Sequence, residues 1–209
     1  MRVLAALFCL LAASAGAQQA EPPNAVVLIA KPELVDPNFR ETVVLVTQTD
    51  DGSTVGVVLN RPTDRTDAKT GETVYDGGPV LKEATVVLFR TESVPGGPAF
   101  RLLKDVYLAM HPDVVDPLLA RPSDDHRIFA GFSGWMPGQL ENELDRDDWL
   151  VMPAAPDMLF RKETKGLWRE LLERAWARQK PHVRGGPRRY TFAHAAAFSH
   201  PPRHRAAGT

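Results

Sequence analysis

Apolar and polar positions follow two rhythms along this chain, and the change from one to the other marks out most of its elements. Residues 25–30 (AVVLIA) and 42–47 (TVVLVT) are unbroken apolar runs of β-branched character bounded by turn residues, which predicts two strands buried on both faces. Between them, Asp36-Pro37-Asn38-Phe39 predicts an Asp-capped helical turn with proline at its first position and Phe39 pinning it to the core. Asp50-Asp51-Gly52 is a hairpin signal, and residues 55–59 (VGVVL) supply the returning strand. Asn60-Arg61-Pro62 closes it, with Pro62 holding Arg61 extended at a strand end.

Residues 63–76 are polar and read as loop, and Gly77-Gly78-Pro79-Val80 as a tight turn. Further strands are predicted at 85–89, 100–103, 106–108, 126–130 and 149–152. Pro112 opens a helix to about Leu119, and Pro137 a short one that carries Leu140 and Leu144 on one face, with Glu141, Asn142 and Asp145 on the other. Asp157 caps a turn through Phe160. Thr164 caps a final helix over 165–178, where Leu167, Trp168, Leu171, Leu172, Ala175 and Trp176 form one apolar stripe. Strands and helices mix without a βαβ rhythm, which predicts an α+β class with no internal repeat.

The 209 residues are 44% hydrophobic and 24% charged, which fits one globular domain with a single core. The first 17 residues differ: Arg2, an apolar run over 3–13, then Ala15-Gly16-Ala17 with small residues where a signal peptidase reads. A signal peptide cleaved after Ala17 and a periplasmic or secreted protein are expected; a misassigned start codon would instead leave the chain cytoplasmic. The run is too short to span a membrane, so no span is expected after cleavage. Cys9, the single cysteine, would leave with the signal, removing disulfides, thiolate chemistry and cysteine metal ligands from the mature chain.

Charge is divided along the rest of the chain. Residues 18–179 hold 26 acidic and 18 basic side chains, whereas residues 180–209 hold six basic ones, no acidic ones and four of the six histidines. The expected organisation is a signal over 1–17, a domain over 18–179 and a basic, His- and Pro-rich disordered tail over 180–209. An acidic body carries no strong nucleic-acid signal.

Candidate chemistry is sparse. Gly131-Phe132-Ser133-Gly134-Trp135 is out of register for a G-x-S-x-G nucleophile elbow and reads as a sharp turn, so no catalytic residue is assigned. His111 and His126 stand alone in sequence, and neither a metal nor a cofactor is expected. Glu141 and Asp145, four apart in an acidic run, share a helix face. Trp135 can lock a corner or line a cleft, and Arg61 with the helix start at Pro137 could attract an anion.

Several stretches together resemble the AlgH/YqgE family: Leu28-Ile29-Ala30-Lys31-Pro32, Asp36-Pro37-Asn38-Phe39 with Thr42-Val43, the segment 56–62 (GVVLNRP), Gly77-Gly78-Pro79-Val80, and the distinctive block 134–144 (GWMPGQLENEL). The resemblance covers about Ala25 to Trp176. It implies a mixed sheet closing into a barrel-like core flanked by helices, in a single domain. It implies no one activity. The family is linked by name to transcriptional control, whereas the export signal and acidic body here favour a non-catalytic accessory module that binds a small molecule or a protein. A carboxylate-dependent hydrolase using Glu141 or Asp145 is a further alternative. The expected ligand-binding residues are Asn60, Arg61, Gly77, Gly78, Trp135, Gly138, Gln139 and Glu141.

Overall fold

The structure is a computed structural model that describes residues 25–179. The expected signal over 1–17 and basic tail over 180–209 lie outside the described residues. The strands are β1 (Ala25–Ala30), β2 (Val43–Gln48), β3 (Thr54–Val58), β4 (Pro62–Thr66), β5 (Thr73–Asp76), β6 (Val80–Arg90), β7 (Phe100–Arg101), β8 (Val106–Ala109), β9 (His126–Trp135) and β10 (Trp149–Pro153). The helices are α1 (Pro112–Leu118), α2 (Gln139–Asp145), α3 (Pro156–Leu159) and α4 (Leu167–Gln179).

The sheet runs in the order β10-β1-β2-β3-β9-β6-β8-β7, with β4 and β5 as a hairpin beside β9. Every pairing is antiparallel except β5 on β9. Among the described residues β10 and β7 do not pair with each other, so the sheet is a half-barrel rather than the closed barrel-like core that the family resemblance implied.

The unbroken apolar runs follow from burial on both faces. Along β1, Ala25, Val27 and Ile29 join a core with α4, while Leu28 and Ala30 join a second cluster with Trp135, Leu140 and Trp149. Because strand side chains alternate, each face needs its own apolar set, and each fully buried Val or Leu contributes about 1.5–3 kcal/mol. Helix α4 buries Leu167, Leu171, Leu172 and Ala175, spaced as one helical face, and Trp168 Nε1 donates to the Ala30 carbonyl at 2.7 Å.

Two segments depart from expectation. The stretch 63–76, read as loop, contains β4 and β5. Its polar PTDRT half stays exposed and pairs through the backbone, while Val74 and Tyr75 are buried against Ile128 and Phe129. The G-F-S-G-W stretch is not a turn but the second half of β9, which leaves β5 and pairs with β3 from Ser133 to Trp135. Gly131, at φ +71°, bends the strand where a Cβ would meet the Gly78 and Val80 carbonyls at 2.9 Å each.

Candidate functional site

The end of β9, the start of β10 and the turn before β2 converge on three aromatic rings. Trp135 stacks on Phe39 with centroids 5.4 Å apart and planes 23° from parallel. Trp149 meets Phe39 edge-on at 5.6 Å and Trp135 at 6.3 Å. Both tryptophans are buried at 3% exposure, so each indole N–H needs a protein acceptor. Glu143 supplies it: its Oε2 accepts from Trp135 Nε1 and from Trp149 Nε1, at 2.9 Å in both cases.

Helix α2 delivers that carboxylate. Gly138, at φ +80° with open space where a Cβ would stand, turns the chain into the helix, and Gln139 Oε1 accepts the Met136 N–H at 3.1 Å. Gln139 and Glu143 are four apart on one face, and Gln139 Nε2 donates to Glu143 Oε1 at 3.3 Å. Leu140, on the adjoining face, is 1% exposed and anchors the helix.

Asn60 and Arg61 support the Phe39 turn from the far side. Asn60 Oδ1 accepts the Val43 N–H at 2.8 Å while its Nδ2 donates to the Glu41 carbonyl at 2.9 Å. Arg61 Nη1 donates to the Asn38 carbonyl at 2.6 Å, and Nη2 to those of Pro37 and Arg40 at 3.3 Å. The guanidinium thus gathers turn carbonyls and is not paired with the start of α2 as an anion site.

The remaining sequence candidates are placed apart from these rings. Gly77 and Gly78 are buried where the chain crosses β9: a Cβ on Gly77 would stand 2.2 Å from the Gly131 carbonyl oxygen, and one on Gly78 2.3 Å from Ser133 Oγ. Ser133 is fully buried and donates to the Gly77 carbonyl at 3.1 Å. Glu141 is half-buried and Asp145 exposed, and neither lines the cleft described next. Glu143, which the acidic run of the sequence did not distinguish from its neighbours, is the carboxylate that the fold engages. The signal was its spacing from Gln139 together with two nearby tryptophans in need of acceptors.

Beside the rings lies a cleft of about 400 Å³, open to solvent, between the 33–39 turn and the α2–β10 connection. Its lining includes the apolar side chains of Leu34 and Phe39, the edge of the buried Trp149, and the polar groups of Glu33, Asp36, Glu143, Arg146 and Asp148. Arg146 holds Asp148 through Nε at 3.1 Å and Nη2 at 2.9 Å. Lys31 pairs with Asp147 just outside. Among the described residues no cluster of three or more His, Cys, Asp or Glu is placed to hold a metal ion. No helix among them is long and apolar enough to cross a membrane.

A second polar group sits elsewhere, in the curve of the half-barrel. Arg127, 5% exposed, donates to the carbonyls of Leu59 at 2.7 Å and Leu159 at 2.9 Å and stacks on Tyr75 at 4.1 Å. Burial lowers its pKa from the usual arginine value, with Tyr75 opposing the shift. On the other face of β9, His126 Nε2 meets Glu72 Oε2 at 2.5 Å. These contacts join strands and helices rather than line an opening.

Comparison with known proteins bears on the family and the fold. Residues 27–179 match the AlgH-like family model. A UPF0301 protein of Mycobacterium avium is 38% identical over 165 residues, covering 71% of this chain and 80% of that protein. A UPF0301 protein of Mycobacterium tuberculosis is 35% identical over 161 residues with the same coverage. The solution structure of the AlgH protein from Pseudomonas aeruginosa superposes with a TM-score of 0.60 at 27% identity, over 78% of this chain and 94% of that one. A crystal structure of a Corynebacterium diphtheriae protein reaches 0.61 at 24% identity, over 78% and 90%, a likeness of fold alone.

Proposed function

The chain belongs to the AlgH-like family, and on that premise we propose that it is a non-catalytic binding module that takes a small organic ligand in the cleft between the 33–39 turn and α2. The observation that carries this is the cleft's construction. Apolar surface from Leu34 and Phe39 lies among polar side chains, and the Phe39 turn and Trp149 beneath it are fixed by the bonds from Arg61 and Glu143. Sites for small molecules are mostly preformed, apolar and edged by a few placed polar groups. Rigidity lowers the ordering cost of binding, and Glu143 and Arg61 supply it here.

A hydrolytic role for Glu141 or Asp145 gains no support from this geometry, because neither faces the cleft. The cleft's carboxylates also disfavour phosphate, and with it a nucleic-acid role for this face. The small residues at 15–17 support export, so the binding would take place in the periplasm or outside the cell.

The test is a thermal-shift screen of the full chain against small organic compounds of all charge types, repeated on Phe39→Ala. At least one class is expected to raise the melting temperature of the parent and to lose that effect in the variant. A flat response across the library sinks the reading. Export is tested by sequencing the N-terminus of protein from fractionated cells: Gln18 in the exported fraction supports it, and Met1 in the cytosol refutes it.

A further inference from the structure

We propose that residues 190–198 (YTFAHAAAF), which lie outside the described residues, pack on an apolar face that the half-barrel leaves uncovered beside α4. The side chains that point into the curve form rows across the strands. Register sets Ala25, Thr47, Val55 and Gly134 side by side on β1, β2, β3 and β9. Val27, Leu45 and Val57 begin the next row, and Phe132 of β9 pairs with Val80 of β6. Helix α4 packs on β10, β1 and β2, and there the face is closed, with Ala25 and Thr47 each 1% exposed. On β3, β9 and β6 the same face stays apolar, but Val55, Phe132 and Val80 are only half-buried. A Cβ on Gly134 would lie 3.5 Å from the Phe132 ring and 3.8 Å from the Val80 side chain, so these positions form one patch. Leu81, next along β6, is exposed. Grouped apolar exposure of this kind marks a surface that something covers.

The direction of α4 identifies the occupant. Trp168, in its first turn, donates to the Ala30 carbonyl, and Ala175 joins Ala25 in one core cluster. The helix therefore runs from the Ala30 end of β1 towards the Ala25 end, the end at which Val55 and Gly134 lie. Residues 180–189 follow it and carry Lys180, Arg184, Arg188 and Arg189 with no acidic side chain. A stretch of that length reaches roughly 33 Å when extended. The strand order β1-β2-β3-β9-β6 sets the patch at most four strand spacings away, about 19 Å, so residues 190–198 can reach it. The path passes the β2–β3 hairpin, where Asp50 and Asp51 are exposed, and opposite charge favours it. Tyr190, Phe192 and Phe198 then bring three aromatic rings, separated by small residues and by Thr191 and His194, to a half-exposed apolar surface. A covalent connection this short holds the segment at an effective concentration on the order of millimolar, an advantage that a second copy of the chain lacks.

The experiment irradiates the full chain carrying the photo-cross-linker p-benzoylphenylalanine in place of Phe192 and maps the joined peptides by mass spectrometry. Cross-links to Val55, Val80, Leu81 or Phe132 are expected, in protein of monomer mass. The same cross-links at dimer mass would assign the patch to a second copy, and cross-links elsewhere on the domain, or none, would place the segment off the patch; each of these overturns the proposal. Amide hydrogen exchange gives an independent reading. Combining Tyr190→Ser, Phe192→Ser and Phe198→Ser alters no residue of the described domain, so its fold is kept. Exchange over residues 80–84, at the edge of the patch, is expected to quicken severalfold in that variant. Exchange there at the parent's rate overturns the proposal as well.

Discussion

The Trp135 indole lies against the Phe39 ring, centroids 5.4 Å apart, joining the last residue of β9 to a turn nearly a hundred positions earlier in the chain. That contact couples the cleft lining to the core cluster beneath it, where Leu28, Val44, Val58 and Leu140 are buried. Phe39→Ala should therefore affect two properties together. Stability is expected to fall by about 2 kcal/mol, because Phe39 is only partly buried, and tryptophan emission should shift as Trp135 and Trp149 meet water. Urea unfolding followed by fluorescence measures both; a stability loss with unchanged emission would show that the rings are not coupled.

Glu143 lies at the centre of this arrangement, and its replacement separates charge from hydrogen bonding. Glu143→Leu leaves two buried indole N–H groups without their acceptor, at a cost of about 1–3 kcal/mol. Glu143→Gln keeps one acceptor oxygen and should lose less. Near-UV circular dichroism, which reports the fixed asymmetry of the indoles, should weaken in the same order. Equal stability of the Leu variant and the parent would mean the indoles find other partners.

How much of this was visible beforehand differs element by element. The runs that became β1 and β2 were legible because both faces of each strand are buried, so apolar residues fill them without a break. PTDRT was not, because β4 is held by backbone pairing with β5 and shows no apolar face. The glycines of G-F-S-G-W suggested a turn, yet Gly131 serves close passage of one strand past another, a distinction that depends on which chain lies opposite. Asn60 and Arg61 stood out as residue types. Their role as props for the Phe39 turn depends on carbonyls about 20 positions upstream, which no local pattern reveals.

Gly78 makes that close passage testable. Its φ is +142°, and an added Cβ would lie 2.3 Å from Ser133 Oγ and 2.5 Å from the Phe132 carbonyl oxygen. Gly78→Ala should cost about 2–4 kcal/mol through strain and overlap combined. Adding Ser133→Ala relieves only the hydroxyl clash, so the double variant should recover little. Full recovery in thermal melts would show that the backbone contact is not limiting.

Arg127 offers a different kind of test, since its guanidinium is buried beside Tyr75 and bonded to two carbonyls rather than to a carboxylate. Arg127→Met fills much of the volume but withdraws the donors from Leu59 and Leu159, and should destabilise by about 3 kcal/mol. Arg127→Lys cannot reproduce the planar fork or the stacking and should not restore the parent value. A more stable Met variant would show that burying the charge costs more than its two bonds return.

Acid sensitivity has a definite sign in the β2–β3 hairpin. The Thr49 hydroxyl, bonded to Asp51 Oδ1 at 2.6 Å, and the Ser53 N–H at 3.0 Å hold the Asp51 carboxyl below its usual value. A folded-state pKa that is depressed makes the charged carboxylate stabilising above the unfolded value, about 3.9, and that contribution disappears as pH falls through the folded value. Asp124, lowered by its bond to Lys162, follows the same rule. Asp51→Ala should accordingly melt at a lower temperature than the parent near neutral pH, with the gap narrowing on acidification below about pH 4. Melting curves of both proteins across that range decide it, and a gap that widens on acidification would place the stabilising interaction with the protonated carboxyl instead.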